Sequence, residues 1–92
     1  MIRSFKHRGL KRLYELDDRR GIRPDLIERC QEILTVLDNA RTPTAMNLPG
    51  YRLHRLKGKL KRFWSVTVSA NWRVIFRFVD EDASDVDLID YH

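Results

Sequence analysis

The sequence predicts an α+β domain in which two N-terminal helices pack on one face of a mainly antiparallel β-sheet. Three observations carry this reading. Apolar residues recur at helical spacing before Pro49, they alternate with period two after it, and turn-forming clusters divide the alternating part into hairpin-linked strands. The chain has 92 residues, against a usual range of about 100 to 200 per domain, so residues 1–92 are expected to form one domain around a thin core.

The first helix is read from Leu10, Leu13 and Tyr14 at i, i+3, i+4, with Arg8, Lys11, Arg12 and Glu15 elsewhere on the wheel and Gly21 as its expected end. His7, between Lys6 and Arg8, reads as a solvent-facing residue. The second helix is clearer, because Leu26, Cys30, Ile33, Leu34 and Leu37 form one apolar stripe. Pro24 suits its start, Asp25 and Glu28 mimic a capping box, and Pro43 lies beyond its end. Cys30 falls on the stripe and reads as core. A lone cysteine forms no internal disulfide, which makes a reducing compartment, the cytosol, the expectation.

After Pro49-Gly50, Trp64, Val66 and Val68 alternate with Phe63, Ser65 and Thr67, and Trp72, Val74, Phe76 and Phe78 alternate with Arg73, Ile75, Arg77 and Val79. Ser69-Ala70-Asn71 supplies the turn between these strands, and residues 80–84 supply the next one. A last strand is expected from Asp85 to about Tyr91, a short earlier one over residues 51–56, and an edge strand over residues 1–5. No apolar run approaches the roughly 18 residues that span a bilayer, and nothing resembles a signal peptide, so no membrane partner is expected.

Lys and Arg number 18 against 13 Asp and Glu, a formal net charge of +5. The distribution is more informative than the total. Residues 52–79 hold eight basic and no acidic side chains, whereas residues 80–92 hold six acidic and no basic ones. A basic stretch free of acids suits contact with a polyanion, because neutralising phosphates is the sequence-independent part of nucleic-acid affinity. Within it Arg73 and Arg77 share a strand face by even spacing, and Lys57, Lys59, Lys61 and Arg62 crowd a loop around Gly58.

The chain closes on Asp90-Tyr91-His92, and the alternation of Val86 and Leu88 with Asp87 and Ile89 runs up to that point, so the ending is expected to belong to the sheet. His54, three residues before Lys57, brings a second imidazole to the same rim. Two imidazoles beside cations are what RNA cleavage without a metal requires: a base for the 2′-hydroxyl, positive charge for the phosphate, and an acid for the leaving oxygen. Tyr91 suits stacking on a base or proton donation. A metal held by His54, Asp90 and His92 is the less favoured reading, since the cationic surroundings repel a divalent ion. There is no HExxH, CxxC, Walker loop or GxSxG.

The segments Met1-Ile2-Arg3-Ser4-Phe5, Pro49-Gly50-Tyr51-Arg52-Leu53-His54-Arg55-Leu56-Lys57-Gly58, Trp64-Ser65-Val66, Asn71-Trp72-Arg73-Val74-Ile75-Phe76 and the terminal Asp90-Tyr91-His92 form a pattern that resembles the HigB toxins of bacterial toxin–antitoxin systems, in the RelE/ParE superfamily. The resemblance covers essentially the whole chain. It implies a RelE/ParE-like fold and an endoribonuclease that cuts messenger RNA on the ribosome. It also implies restraint by a cognate helix-turn-helix antitoxin of HigA type, and no cofactor. Carried over by position, it implies that His54 and His92 are the catalytic imidazoles. Asp90 then tunes the site, Lys57 and Arg73 stabilise the phosphate, and Tyr91 supports the substrate. Lys59, Lys61, Arg62 and Arg77 are expected to meet RNA or ribosome. One departure stands out: many relatives carry an acid and a second glycine after Lys57-Gly58, whereas this chain has Lys59 and Arg62. Two rival readings are a ParE-like inhibitor of DNA gyrase that catalyses nothing and a non-catalytic RNA-binding domain.

Overall fold

The structure, a computed structural model, describes residues 1–91. Helix α1 (Arg8–Leu16) buries Leu10 and Leu13. His7 is its N-cap: its Nδ1 accepts the Leu10 N–H at 3.1 Å, so this half-buried imidazole satisfies a free helix donor rather than simply facing solvent. The helix stops at Asp17, in the left-handed conformation at φ 53°, well before the Gly21 expected to end it. Gly21 serves a close backbone approach instead, since a Cβ at Gly9 would lie 2.3 Å from the Gly21 carbonyl oxygen.

Helix α2 (Ile27–Asn39) is entered through a 3-10 turn at Pro24–Leu26. The expected capping box does not form. The Asp25 carboxylate accepts from Arg23 Nε at 3.1 Å and Nη2 at 2.8 Å, and among the described residues no side chain caps the helix. The apolar stripe is as expected, with Leu26, Cys30, Ile33, Leu34 and Leu37 buried. Burial pushes the Cys30 thiol up to about 11 and keeps it neutral.

Among the described residues four strands, β1 (His54–Arg55), β2 (Trp64–Ser69), β3 (Trp72–Val79) and β4 (Asp82–Asp90), form one sheet in the order β1-β2-β3-β4, each pair antiparallel. β1 is shorter than the expected 51–56 because Gly50 at φ 83° and Arg52 at φ 50° turn the chain and drive Tyr51 into the core. The β3–β4 turn is only Asp80-Glu81, with Asp80 at φ 58°, so β4 begins three residues earlier than expected. Ile75 lies opposite Asp87 but Arg77 opposite Ser84, which leaves an extra residue on β4, a bulge with Asp85 at φ 54°.

The N-terminal segment makes two parallel bridges, Ile2 with Ala83 and Phe5 with Val86, in place of a full edge strand. Backbone bonds from Arg3 N to Ala83 O at 2.7 Å and from Lys6 N to Val86 O at 2.8 Å cover the otherwise open edge of β4. Both helices lie on one face of the sheet. Their stripes meet Val66, Val68, Val74, Phe76, Ala83, Val86 and Leu88 in one core. On the opposite face Leu56, Phe63 and Ile75, with Leu60 and Ile89 against them, form a second and smaller apolar cluster.

Candidate active site

The loop from Leu56 to Phe63 is tied to the sheet by that smaller cluster and by the backbone bond from Leu56 N to Phe63 O at 3.0 Å. It covers only part of the second face. Beyond its reach the face stays open, and a cleft of about 180 Å³ is lined by Arg52, His54, Ser65, Thr67, Arg73 and Tyr91. Register explains the grouping. His54 pairs with Ser65 across β1 and β2, Thr67 pairs with Arg73 across β2 and β3, and Tyr91 N donates to Asn71 O at 2.8 Å just past the end of β4. Strands about 4.8 Å apart, with side chains two residues apart on the same face, place these groups on one patch.

His54, Arg73 and Tyr91, all selected from the sequence, therefore meet in one cleft. Arg73 Nη1 donates to Ala70 O at 2.6 Å and Trp72 O at 3.1 Å, which fixes the guanidinium against its own hairpin. Asp90 closes β4 opposite Trp72, in the alternation of Leu88 rather than Ile89, and does not line the cleft. Lys57 lies two residues beyond β1 at the head of a 3-10 turn, Gly58–Leu60, exposed and outside the cleft lining. Lys59, Lys61 and Arg62 are exposed on the same loop. Arg77 is different: its Nε lies 2.6 Å from Asp85 Oδ2, so much of its charge is answered internally. Asp82 is likewise engaged by Arg3 at 2.5 Å, a hydrogen bond that lowers its pKa, and the acidic segment thus partly serves the fold. His92 lies outside the described residues.

Sequence reasoning missed Arg52, Ser65 and Thr67 as cleft residues. The signal for two of them was present, since Ser65 and Thr67 alternate onto the face opposite Trp64, Val66 and Val68. Tyr51, behind the cleft, is buried, donates its hydroxyl to Glu32 Oε2 at 2.6 Å, and accepts Thr67 N–H on its carbonyl at 2.7 Å. Burial and the Glu32 hydrogen bond push its hydroxyl up to about 12, so it remains a donor. Among the described residues no three His, Cys, Asp or Glu side chains converge to hold a metal ion.

A small antiparallel sheet backed by two helices is consistent with the RelE-like toxin fold. Residues 3–92 match the family described as the RelE-like toxin HigB of type II toxin–antitoxin systems, and the chain belongs to that family. It is 41% identical over 92 residues, the full length of both chains, to a protein of Proteus vulgaris named Endoribonuclease HigB. It is 35% identical over 82 residues, 87% of this chain and 86% of the other, to Toxin HigB-1 of Vibrio cholerae. No helix among the described residues is long and apolar enough to cross a membrane.

Proposed function

We propose that the protein is a cytoplasmic endoribonuclease that cleaves messenger RNA on translating ribosomes and is restrained by a helix-turn-helix antitoxin of HigA type. The observation that carries this reading is the convergence of His54, Arg73 and Tyr91 in one open cleft at the end of the sheet where the chain closes. The Proteus vulgaris relative, named an endoribonuclease, supports the choice of substrate.

The chemistry is a transesterification. The 2′-oxygen forms a bond to the adjacent phosphorus, the bond from phosphorus to the 5′-oxygen breaks, and a cyclic phosphate and a 5′-hydroxyl result. One imidazole takes the 2′-hydroxyl proton and another group returns one to the leaving oxygen. His54 and His92 share these two roles, and Asp90 helps to position and tune the site. Arg73, already oriented by two carbonyls, meets charge that grows on the phosphate oxygens, with Lys57 as a second cation at the rim. Tyr91 stacks on a base or donates a proton. Lys59, Lys61 and Arg62 meet the ribosomal RNA backbone, and Arg77 contributes less because of Asp85.

Mapping transcript ends after a pulse of expression tests the reading. Arg73→Ala should lower cleavage about 10²- to 10³-fold. Its two turn carbonyls can take water instead, so stability should fall by only about 1 kcal/mol. Parental cleavage by Arg73→Ala, or intact transcripts beside damaged chromosomes with the unaltered protein, would overturn it.

A further inference from the structure

Among the described residues five other than glycine have left-handed backbone, and four of them sit at a helix end, in a hairpin turn or in a bulge. Asp17 ends α1, Ala70 and Asp80 form the two hairpin turns, and Asp85 forms the bulge of β4. Arg52, at φ 50°, helps to turn the chain and set Tyr51 into the core, a purpose for which no arginine side chain is needed. It lies between the Leu48–Tyr51 turn and β1, where an arginine bears a backbone cost that glycine would not. Strain of this kind persists only where the surroundings over-determine it. Here they do. Arg29 lies 4.4 Å over the Tyr51 ring and donates Nη2 to Gly50 O at 3.1 Å, while Tyr51 is bound through its hydroxyl to Glu32 and through its carbonyl to Thr67. Helix α2 and strand β2 thus hold the two residues before Arg52 from opposite sides, and β1 pairing at His54 holds the chain after it.

The consequence is an arginine presented to the cleft beside His54, Ser65, Thr67, Arg73 and Tyr91. Its guanidinium makes no ion pair or hydrogen bond with a described residue, whereas one nitrogen of Arg73 is committed to two carbonyls. All five N–H donors of Arg52 are therefore available in a fork that matches two phosphate oxygens.

We propose that Arg52 is a phosphate ligand of the active site, binding the non-bridging oxygens of an RNA phosphodiester in the cleft. The assignment rests on the reading of the cleft as the site of RNA cleavage. Arg52 supplies the bidentate hold on the strand, and Arg73 the fixed charge beside it. The buried Tyr51 is a positioning residue that acts through Arg52.

Arg52→Gly separates this role from a structural one, because glycine adopts φ 50° without penalty. The variant should melt within about 3 °C of the parent yet cleave ribosome-bound messenger RNA ten- to a hundredfold more slowly at every codon tested. The slope of log rate against log salt, read below saturation, should flatten by about one. Arg52→Lys should restore a large part of the rate, as a point charge without the fork. Parental cleavage by Arg52→Gly overturns the assignment. So does an altered codon preference at unchanged rate on the favoured codon, which would mark a contact to a base. Arg73→Ala run in parallel keeps the two ideas apart. An inactive Arg73→Ala beside a fully active Arg52→Gly rejects Arg52 alone, and two fully active variants reject the RNA-cleavage reading itself.

Discussion

The two faces of the sheet come from the same alternating strands and have different fates. On the helix side Val66, Val74, Phe76 and Val86 are fully enclosed in a core that includes both helices. On the other side the cover among the described residues is the loop from Leu56 to Phe63, and Ile75 and Ser65 are buried there while Thr67 and Arg73 stay partly exposed. Alternation assigns residues to faces, but what each face does is decided by how far its cover extends. The short cover leaves polar side chains in an ordered yet open setting, and a rigid sheet beneath them suits groups that must be held in register.

The largest effect should separate the faces directly. Phe76→Ala, in the helix-side core, should lower stability by about 3 to 5 kcal/mol, and Ile75→Ala, its neighbour on the other face, by about 2 to 4. The sharper difference is local. Ile75→Ala should release the amides of Leu56 and Phe63, whose partners are Phe63 O and Leu60 O, to hydrogen exchange before the sheet opens. Phe76→Ala should expose all regions together. If Ile75→Ala left these two amides as protected as those of β3, the loop would not depend on the small cluster for its order.

A smaller effect tests how the helix layer is fastened to the sheet and the site. Tyr14 donates its hydroxyl to Asp38 Oδ1 at 2.6 Å, and Asp38 Oδ1 also accepts Ile2 N–H at 3.0 Å; Tyr51 is tied to Glu32. The hydrogen bond to Asp38 and partial burial push Tyr14 up to about 12, while burial and Glu32 do the same for Tyr51. Folded values above the unfolded value of about 10 mean stabilisation that is complete below about pH 10 and lost as pH rises toward 12. Each tyrosine should contribute up to about 2 kcal/mol to that loss. Urea midpoints measured between about pH 9 and 12 check this, and Tyr51→Phe should flatten the curve. An equally steep curve in Tyr51→Phe would remove Tyr51 as a source.

Both faces of β2 and β3 were legible because period two is a property of the strand itself, and the amphipathic helices were legible for the corresponding reason. His54, Arg73 and Tyr91 could be chosen because imidazole, guanidinium and phenol beside an acid-free segment have few other joint uses. Ala70 and Asp80 fall in the expected turns, but the left-handed positions outside those turns were not legible. Asp17 instead of Gly21 ends α1, Asp85 hides a bulge inside an alternating run, and Arg52 bends the chain where a continuous strand was expected. Each replaces the glycine that a local rule looks for, and each is held there by contacts distant in sequence. His7 belongs with them, since histidine is not the residue a cap rule seeks, yet its Nδ1 accepts as a carboxylate oxygen would.

The smallest effect lies on the solvent side of the helix layer and reverses a sequence-based expectation. A capping box at Asp25 and Glu28 would make Asp25→Ala cost about 1 kcal/mol, the usual value of an N-cap carboxylate. In the structure Asp25 is the second residue of a 3-10 turn and both its oxygens are occupied by Arg23. An exposed ion pair two residues apart contributes a few tenths of a kcal/mol, and a carboxylate already neutralised by Arg23 adds little to the helix dipole. Asp25→Ala should therefore change the stability read from urea midpoints by less than about 0.5 kcal/mol. A loss of about 1 kcal/mol or greater in Asp25→Ala alone would mean that the carboxylate caps α2 in solution, and that this end of the helix layer is fastened more firmly than its hydrogen bonds indicate.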